Sequence, residues 1–88
     1  MADTHTPPPT RERRFGDMYL ASALLADGHP LARIDWHDGH AAFVFVETPA
    51  VAEAIGHYYA GKLVVPARGL ADHIRGLKSA LVAMGGAR

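Results

Sequence analysis

The sequence predicts a small α+β domain with a three-stranded, mainly antiparallel sheet and three helices around it. Three observations predict this class: a well-capped helical segment near the start, a β-hairpin over residues 31–47, and a last segment whose apolar residues repeat with helical spacing. A second helix and a short strand over residues 62–65 complete the order α-β-β-α-β-α. The 88 residues suffice for one domain.

The first helix is predicted over residues 18–27. Asp17 is a good N-cap residue, because its carboxylate can accept hydrogen bonds from the first free backbone N–H groups. Gly28 stands where the end of a helix requires a left-handed residue, and Pro30 prevents continuation.

The hairpin consists of two strands that differ in character. Residues 31–36 alternate between apolar and polar side chains, and the Asp-Gly pair at 38–39 is a type I′ turn sequence. In the second strand, residues 41–47, Phe43 and Phe45 share one face while valines occupy the other. This strand is therefore either central and covered on both sides, or it presents one face to a partner.

The last third of the domain contains the short strand and the longest helix. A second helix begins after the N-cap Thr48 and ends at Gly61, and Pro66 ends the strand over residues 62–65. The last helix is predicted over roughly residues 68–84. Its apolar seam has 4-3-4-3 spacing and consists of Leu70, Ile74, Leu77, Leu81 and Met84. Either this helix covers the phenylalanine face of the sheet, or that face is an interface.

Composition sets the limits of the domain. Residues 1–12 include three consecutive prolines among polar residues and are predicted to form a disordered tail, which leaves residues 13–86 as the domain. A core of this size supplies only a few kcal/mol of net stability, so oligomerisation would be useful. The chain has no cysteine, no signal-peptide pattern and no apolar run near the roughly 20 residues that span a bilayer. We expect a cytoplasmic protein.

Charge is unevenly distributed although the formal net charge is zero. Acidic residues dominate residues 15–60, whereas residues 61–88 carry five cations against Asp72 alone. Opposite charges can meet within the fold or between subunits, or the basic end can face a polyanion. The candidate nucleic-acid contacts are Arg11, Arg13, Arg14, Lys62, Arg68, Arg75 and Lys78.

Four motifs occur in order along the chain after Arg14. They are Phe15-x-Asp17-x-Tyr19-Leu20-Ala21-x-x-Leu24-Leu25-x-x-Gly28, Phe43-Val44-Phe45, Tyr58-Tyr59-x-Gly61 and Ile74-Arg75-x-Leu77-Lys78-Ser79. In their order and spacing the chain resembles a small uncharacterised domain family of bacteria, phages and mobile elements. The resemblance implies a shared fold and a mobile-element setting, and no activity.

A weaker likeness concerns topology. Helix, hairpin, helix and strand follow one another in the RNA-recognition-motif version of the ferredoxin-like fold, which the chain resembles if residues 13–16 form a first strand. Ala41 stands where such domains place a stacking aromatic, and no Lys/Arg-Gly pair precedes it. Phe43 and Phe45 could stack on bases, but a covered core is the favoured interpretation.

Catalytic and metal-binding patterns are weak. His37 and His40 flank the hairpin turn, but no motif links them to His29 or His57, and zinc sites need three or four ligands. The sequence has no glycine-rich phosphate loop and no arrangement of a nucleophile with a base. We therefore predict a non-enzymatic protein without cofactor or metal.

Two functions remain open. The first is an accessory binding module that contacts nucleic acid or a nucleoprotein complex through the basic last helix and the arginines at 11–14. The second is a self-associating or protein-binding structural module that uses the face of Phe43 and Phe45 or the seam of the last helix. Tyr58 and Tyr59 cannot both point inward on a helix, so one of them is a further interface candidate.

Overall fold

The computed structural model describes residues 11–85, which form three strands and three helices. The elements are β1 (Glu12–Phe15), α1 (Met18–Ala26), β2 (Leu31–His37), β3 (His40–Val46), α2 (Pro49–Tyr59) and α3 (Ala67–Ala83). The predicted α+β class, with a three-stranded antiparallel sheet, is confirmed. The strand β1 begins at Glu12, within the segment predicted as a tail, while residues 1–10 and 86–88 lie outside the described part.

The sheet has the strand order β1-β3-β2, with β3 antiparallel to both neighbours. Strands β1 and β2 are therefore parallel to each other, and α1 connects them while β3 lies between them. This arrangement is a split βαβ unit. It makes β3 the central strand of the sheet. The apolar faces of this strand allowed either that position or a face presented to a partner.

The predicted third strand over residues 62–65 is wrong, and β1 takes its place in the sheet. The helix α2 ends at Tyr59 with the C-cap Ala60, and Pro66 is the N-cap of α3, so residues 60–66 connect the two helices without forming a strand. Leu63 packs against the core from this connection, while Val64 is 87% exposed. The strand that forms instead contains a single apolar residue, Phe15, and so gives no apolar pattern to detect.

The helix ends follow the predicted capping. Asp17 Oδ1 accepts hydrogen bonds from the N–H groups of Tyr19 (2.9 Å) and Leu20 (3.2 Å), and Thr48 Oγ1 accepts one from Val51 (3.1 Å). Gly28 has φ = 98°, a left-handed conformation that disfavours any side chain. These caps fix where α1 and α2 begin and end on the sheet.

The core lies between the sheet and the helices. Phe43 and Phe45 are buried against α1, α2 and Leu77 of α3, and the ring of Phe15 stacks on that of Phe45 at 5.8 Å. The two phenylalanines are therefore not available as an interface, and that prediction is wrong because the helices cover this face. The helix α3 packs beside α1 and supplies the cover that its seam predicts.

A bulge distorts the start of β2. The register steps from Leu31 opposite Phe45 to Arg33 opposite Val44, so Ala32 is extra. Strict alternation from Arg33 would place Leu31 on the outer face of the sheet. The bulge instead lets Leu31 pack against the core.

Candidate binding surfaces

Four alternating charges lie on the outer face of the sheet, which none of the three described helices covers. Arg33 donates to Glu12 (2.7 Å) and to Asp35 (2.9 Å), and Arg14 donates to Asp35 (3.0 Å). We call these four residues the sheet-face network. Val44 is opposite Arg14 on one side and Arg33 on the other, and it is fully buried. Since it belongs to the outer face, the aliphatic stems of the flanking arginines are suited to cover it.

The arginines of β1 are therefore committed to ion pairs. Arg14 belongs to the sheet-face network, and both carboxylate oxygens of Glu47 accept hydrogen bonds from Arg13 at 3.2 Å. Two of the three arginines predicted at 11–14 as nucleic-acid contacts thus lie in a strand, and being paired they carry little free charge toward a polyanion. Arg11, which is exposed, precedes the strand.

The network shifts the ionisation of its carboxylates. The hydrogen bond from Arg33 lowers the pKa of Glu12, and the same guanidinium lowers the pKa of Asp35. Both carboxylates, by hydrogen bonding, raise the pKa of Arg33 further above its already high ordinary value. The network is therefore charged throughout the neutral range.

These shifts predict how stability depends on pH. A carboxylate whose folded pKa is lowered stabilises the protein above its unfolded pKa, and this contribution disappears as the pH falls through the folded pKa. The ordinary values are 4.5 for Glu12 and 3.8 for Asp35. We expect the melting temperature to fall as the pH drops below about 4, and we expect a smaller fall in Arg33→Met. The methionine keeps an aliphatic stem over Val44.

Thermal unfolding followed by circular dichroism across this pH range measures the difference. Arg68→Met is the matched control, because Arg68 has no ion pair within residues 11–85. The melting temperature of Arg68→Met should fall with pH as much as that of the unsubstituted protein. An equal fall in Arg33→Met and the unsubstituted protein would show that the network contributes nothing to the pH dependence.

The solvent side of α3 carries the remaining candidate cations. Arg68 and Arg75 are seven residues apart and lie on one face, and Lys78 continues that face; we call these three residues the basic face of α3. Arg75 contacts Asp72, whereas Arg68 and Lys78, like Lys62, are exposed and have no ion pair in the described part of the chain. Unpaired charge is thus concentrated in this part of the sequence.

The sheet offers no base-stacking platform among the residues described. Its helix-free face presents the sheet-face network and Val46, while Phe43 and Phe45 are on the opposite, buried face. A platform of the RNA-recognition type needs aromatic rings on the open face. The order β1, α1, hairpin and α2 agrees with that topology, but the last strand that it requires does not form within the described residues and no such platform is present.

A cleft of about 340 Å³ lies between the end of α1, the helix α2 and the connection to α3. Two histidines line it, each beside a carboxylate: His29 is 2.9 Å from Asp27, and His57 is 3.8 Å from Glu53. Lys62 adds an ammonium group. The residues that line it include no hydroxyl or thiol nucleophile, and within residues 11–85 no three metal-ligating side chains are grouped to hold an ion.

The sequence alone did not predict that the residues of the cleft lie close together. Asp27 and His29 lie at a loop, and Glu53 and His57 are one helical turn apart on α2, so each pair is a local signal. The packing of α2 beside α1 makes them neighbours, and a single sequence does not show that packing. His37, at the hairpin turn, lies near Asp38 instead (3.3 Å).

The two tyrosines of α2 point in different directions, as adjacent residues of a helix do. Tyr58 packs against the core and Tyr59 is 67% exposed, with their rings edge to face at 5.2 Å. Burial, with the charge of Asp17 as a second cause, raises the pKa of the Tyr58 hydroxyl. Tyr59 is therefore the one of the pair that a partner can reach.

Two further findings bear on function. None of the helices in the described part combines the length and apolar character needed to cross a membrane. Searches against models of protein families, against curated proteins and against solved structures found no match to this chain.

Proposed function

We propose that this protein is a non-enzymatic binding module that contacts the phosphate backbone of nucleic acid, alone or in a nucleoprotein complex, through the basic face of α3. The proposal rests on a difference in ion pairing between the cations of the sheet and those of α3. Those on the sheet are neutralised by carboxylates, whereas Arg68 and Lys78 on α3 have no such partner in residues 11–85. A cytoplasmic setting and a mobile-element origin are part of the same proposal.

The length of the basic face suits a phosphate chain. Ten residues separate Arg68 from Lys78, which corresponds to about 15 Å along a helix. Successive phosphates of one strand advance about 3.4 Å along the axis of duplex DNA, so the two cations span roughly four nucleotides. Lys62, which precedes α3 by a few residues, adds a third cation near its N-terminal end.

The proposed contact is to phosphate and not to bases. Arg68 and Lys78 are solvent-exposed on a helix that packs beside α1, and the described aromatic core residues are buried beneath the helices. Contacts of cations with phosphate position a protein on nucleic acid without reading its sequence. We therefore expect binding that tolerates changes in sequence and weakens with salt.

The test is a titration of a short fluorescent oligonucleotide, single-stranded or duplex, at low ionic strength. Arg68→Gln with Lys78→Gln should weaken binding by about tenfold or more, because two phosphate contacts are lost. The matched control is Arg13→Gln with Glu47→Gln, which removes an ion pair between β1 and the residue after β3 without changing the net charge of the protein. This control should bind as the unsubstituted protein does.

Two results would contradict the proposal. One is the absence of binding to either form of DNA and to RNA at low salt. The other is equal binding by the neutralised variant and the unsubstituted protein, which would place the contact elsewhere on the chain.

A further inference from the structure

The outer edge of β2 has no partner strand among the described residues. Strand β2 is seven residues long and pairs only with β3, whereas the other edge strand, β1, is four residues long. A long unpaired edge is a template for another strand. We propose that β2 pairs antiparallel with β2 of a second copy of this chain about a twofold axis at Ile34, which joins the two sheets into one of six strands.

The hairpin turn determines which backbone groups face outward. Asp38 (φ = 54°) and Gly39 (φ = 77°) form the two-residue turn, and His37 is opposite His40 at its base. This closing pair is hydrogen-bonded in a type I′ hairpin, and bonded pairs alternate along an antiparallel ladder. The N–H and C=O groups of Ile34 therefore point away from β3, so Ile34 can exchange both hydrogen bonds with Ile34 of the second copy.

The charges of β2 select this register over its neighbours. Facing side chains in an antiparallel pair lie on the same side of the sheet. The twofold axis must therefore lie midway between two copies of the same residue, which face each other. An axis at Arg33 would oppose two guanidinium groups, and an axis at Asp35 would oppose two carboxylates. An axis at Ile34 places Arg33 opposite Asp35 of the second copy, twice by symmetry.

The exposure of these side chains permits the contact. The side chains of Arg33 and Asp35 are 45% and 31% exposed, so each retains room for a further partner beside the sheet-face network. Protected edges carry charges that repel a second copy, whereas this edge carries one charge of each sign.

Cysteine cross-linking tests the register directly, because the chain contains no cysteine of its own. Opposed Cβ atoms are about 4.5 Å apart in a non-hydrogen-bonded pair, which a disulfide can bridge, and about 5.5 Å apart in a hydrogen-bonded pair, which it bridges poorly. Arg33 and Asp35 of the second copy form a pair of the first kind, whereas the two copies of Ile34 form one of the second kind. We expect a mixture of Arg33→Cys with Asp35→Cys to form a covalent dimer under mild oxidation, and Arg33→Cys alone, whose copies are diagonal neighbours about 7–8 Å apart, to form little.

Light scattering on the unsubstituted protein supplies the independent measurement. We expect a mass of twice 9.4 kDa that persists as salt rises, because the backbone ladder is not ionic. A mass of 9.4 kDa at every concentration would overturn the proposal. So would a dimer that cross-links through Val82→Cys, at the exposed end of α3, and not through the mixture of Arg33→Cys with Asp35→Cys. Neither result depends on whether nucleic acid binds.

Discussion

Phe45→Ala is expected to unfold the domain at room temperature. Phe45 is fully buried in the central strand, stacks on Phe15 and belongs to the core formed with α1 and α2. Removing a buried phenylalanine side chain costs about 3–5 kcal/mol, because apolar surface is lost and a cavity remains. A domain of this size holds roughly that much net stability. Chemical denaturation followed by circular dichroism measures the loss.

Val46→Ala is the matched control for this substitution. Val46 follows Phe45 directly in β3, lies on the opposite face of the sheet and is 42% exposed. Its replacement should change the free energy of unfolding by about 0.5 kcal/mol or less. A Phe45→Ala protein that stays folded and loses only its association with a partner would restore the interface role that the sequence suggested for this residue.

Charge reversal on α3 is the second substitution from which we expect a large effect. Arg68→Glu with Lys78→Glu turns two cations of the basic face into carboxylates, which repel phosphate instead of attracting it. We expect binding of a short DNA to fall below detection at about 50 mM salt. Fluorescence anisotropy measures binding, and circular dichroism confirms that α3, whose apolar side is untouched, still forms.

Negative charge added elsewhere separates local from overall charge. Ala50→Glu with Ala60→Glu adds two carboxylates at exposed positions of α2 and its C-cap, which lowers the net charge by two, as Arg68→Gln with Lys78→Gln does. Binding should weaken far less than in this glutamine variant of α3. Equal losses in the two proteins would show that overall charge governs the interaction and that no surface of α3 does.

The hairpin and the helices could be predicted because their signals are local. Asp17, Thr48 and the Asp-Gly turn each determine a boundary through hydrogen bonds or backbone angles within a few residues. The strand β1 could not be predicted in this way, since its residues Glu12, Arg13 and Arg14 resemble a charged arm. They form a strand by pairing with β3, and their side chains find oppositely charged partners in Arg33 and Asp35 on β2 and Glu47 beyond β3. All these contacts are distant in sequence.

The candidate site was predictable in part for the same reason. The spacing of Arg68, Arg75 and Lys78 places them on one side of α3 without any knowledge of the fold. Which cations are free depends on tertiary contacts, because Arg13 finds a partner just beyond β3 and Arg14 finds one on β2. Arg75 is a candidate by its spacing, but its contact with Asp72 makes Arg68 and Lys78 the more informative positions to replace.

The salt dependence of DNA binding by the unsubstituted protein tests the proposed function most directly. If Lys62, Arg68 and Lys78 each neutralise a phosphate, the logarithm of the association constant should fall with the logarithm of salt concentration with a slope of about −2 to −3 on duplex DNA. Replacing Arg68 and Lys78 by glutamine should make this slope shallower by about 2. A slope near zero, or no binding at low salt, would contradict the account.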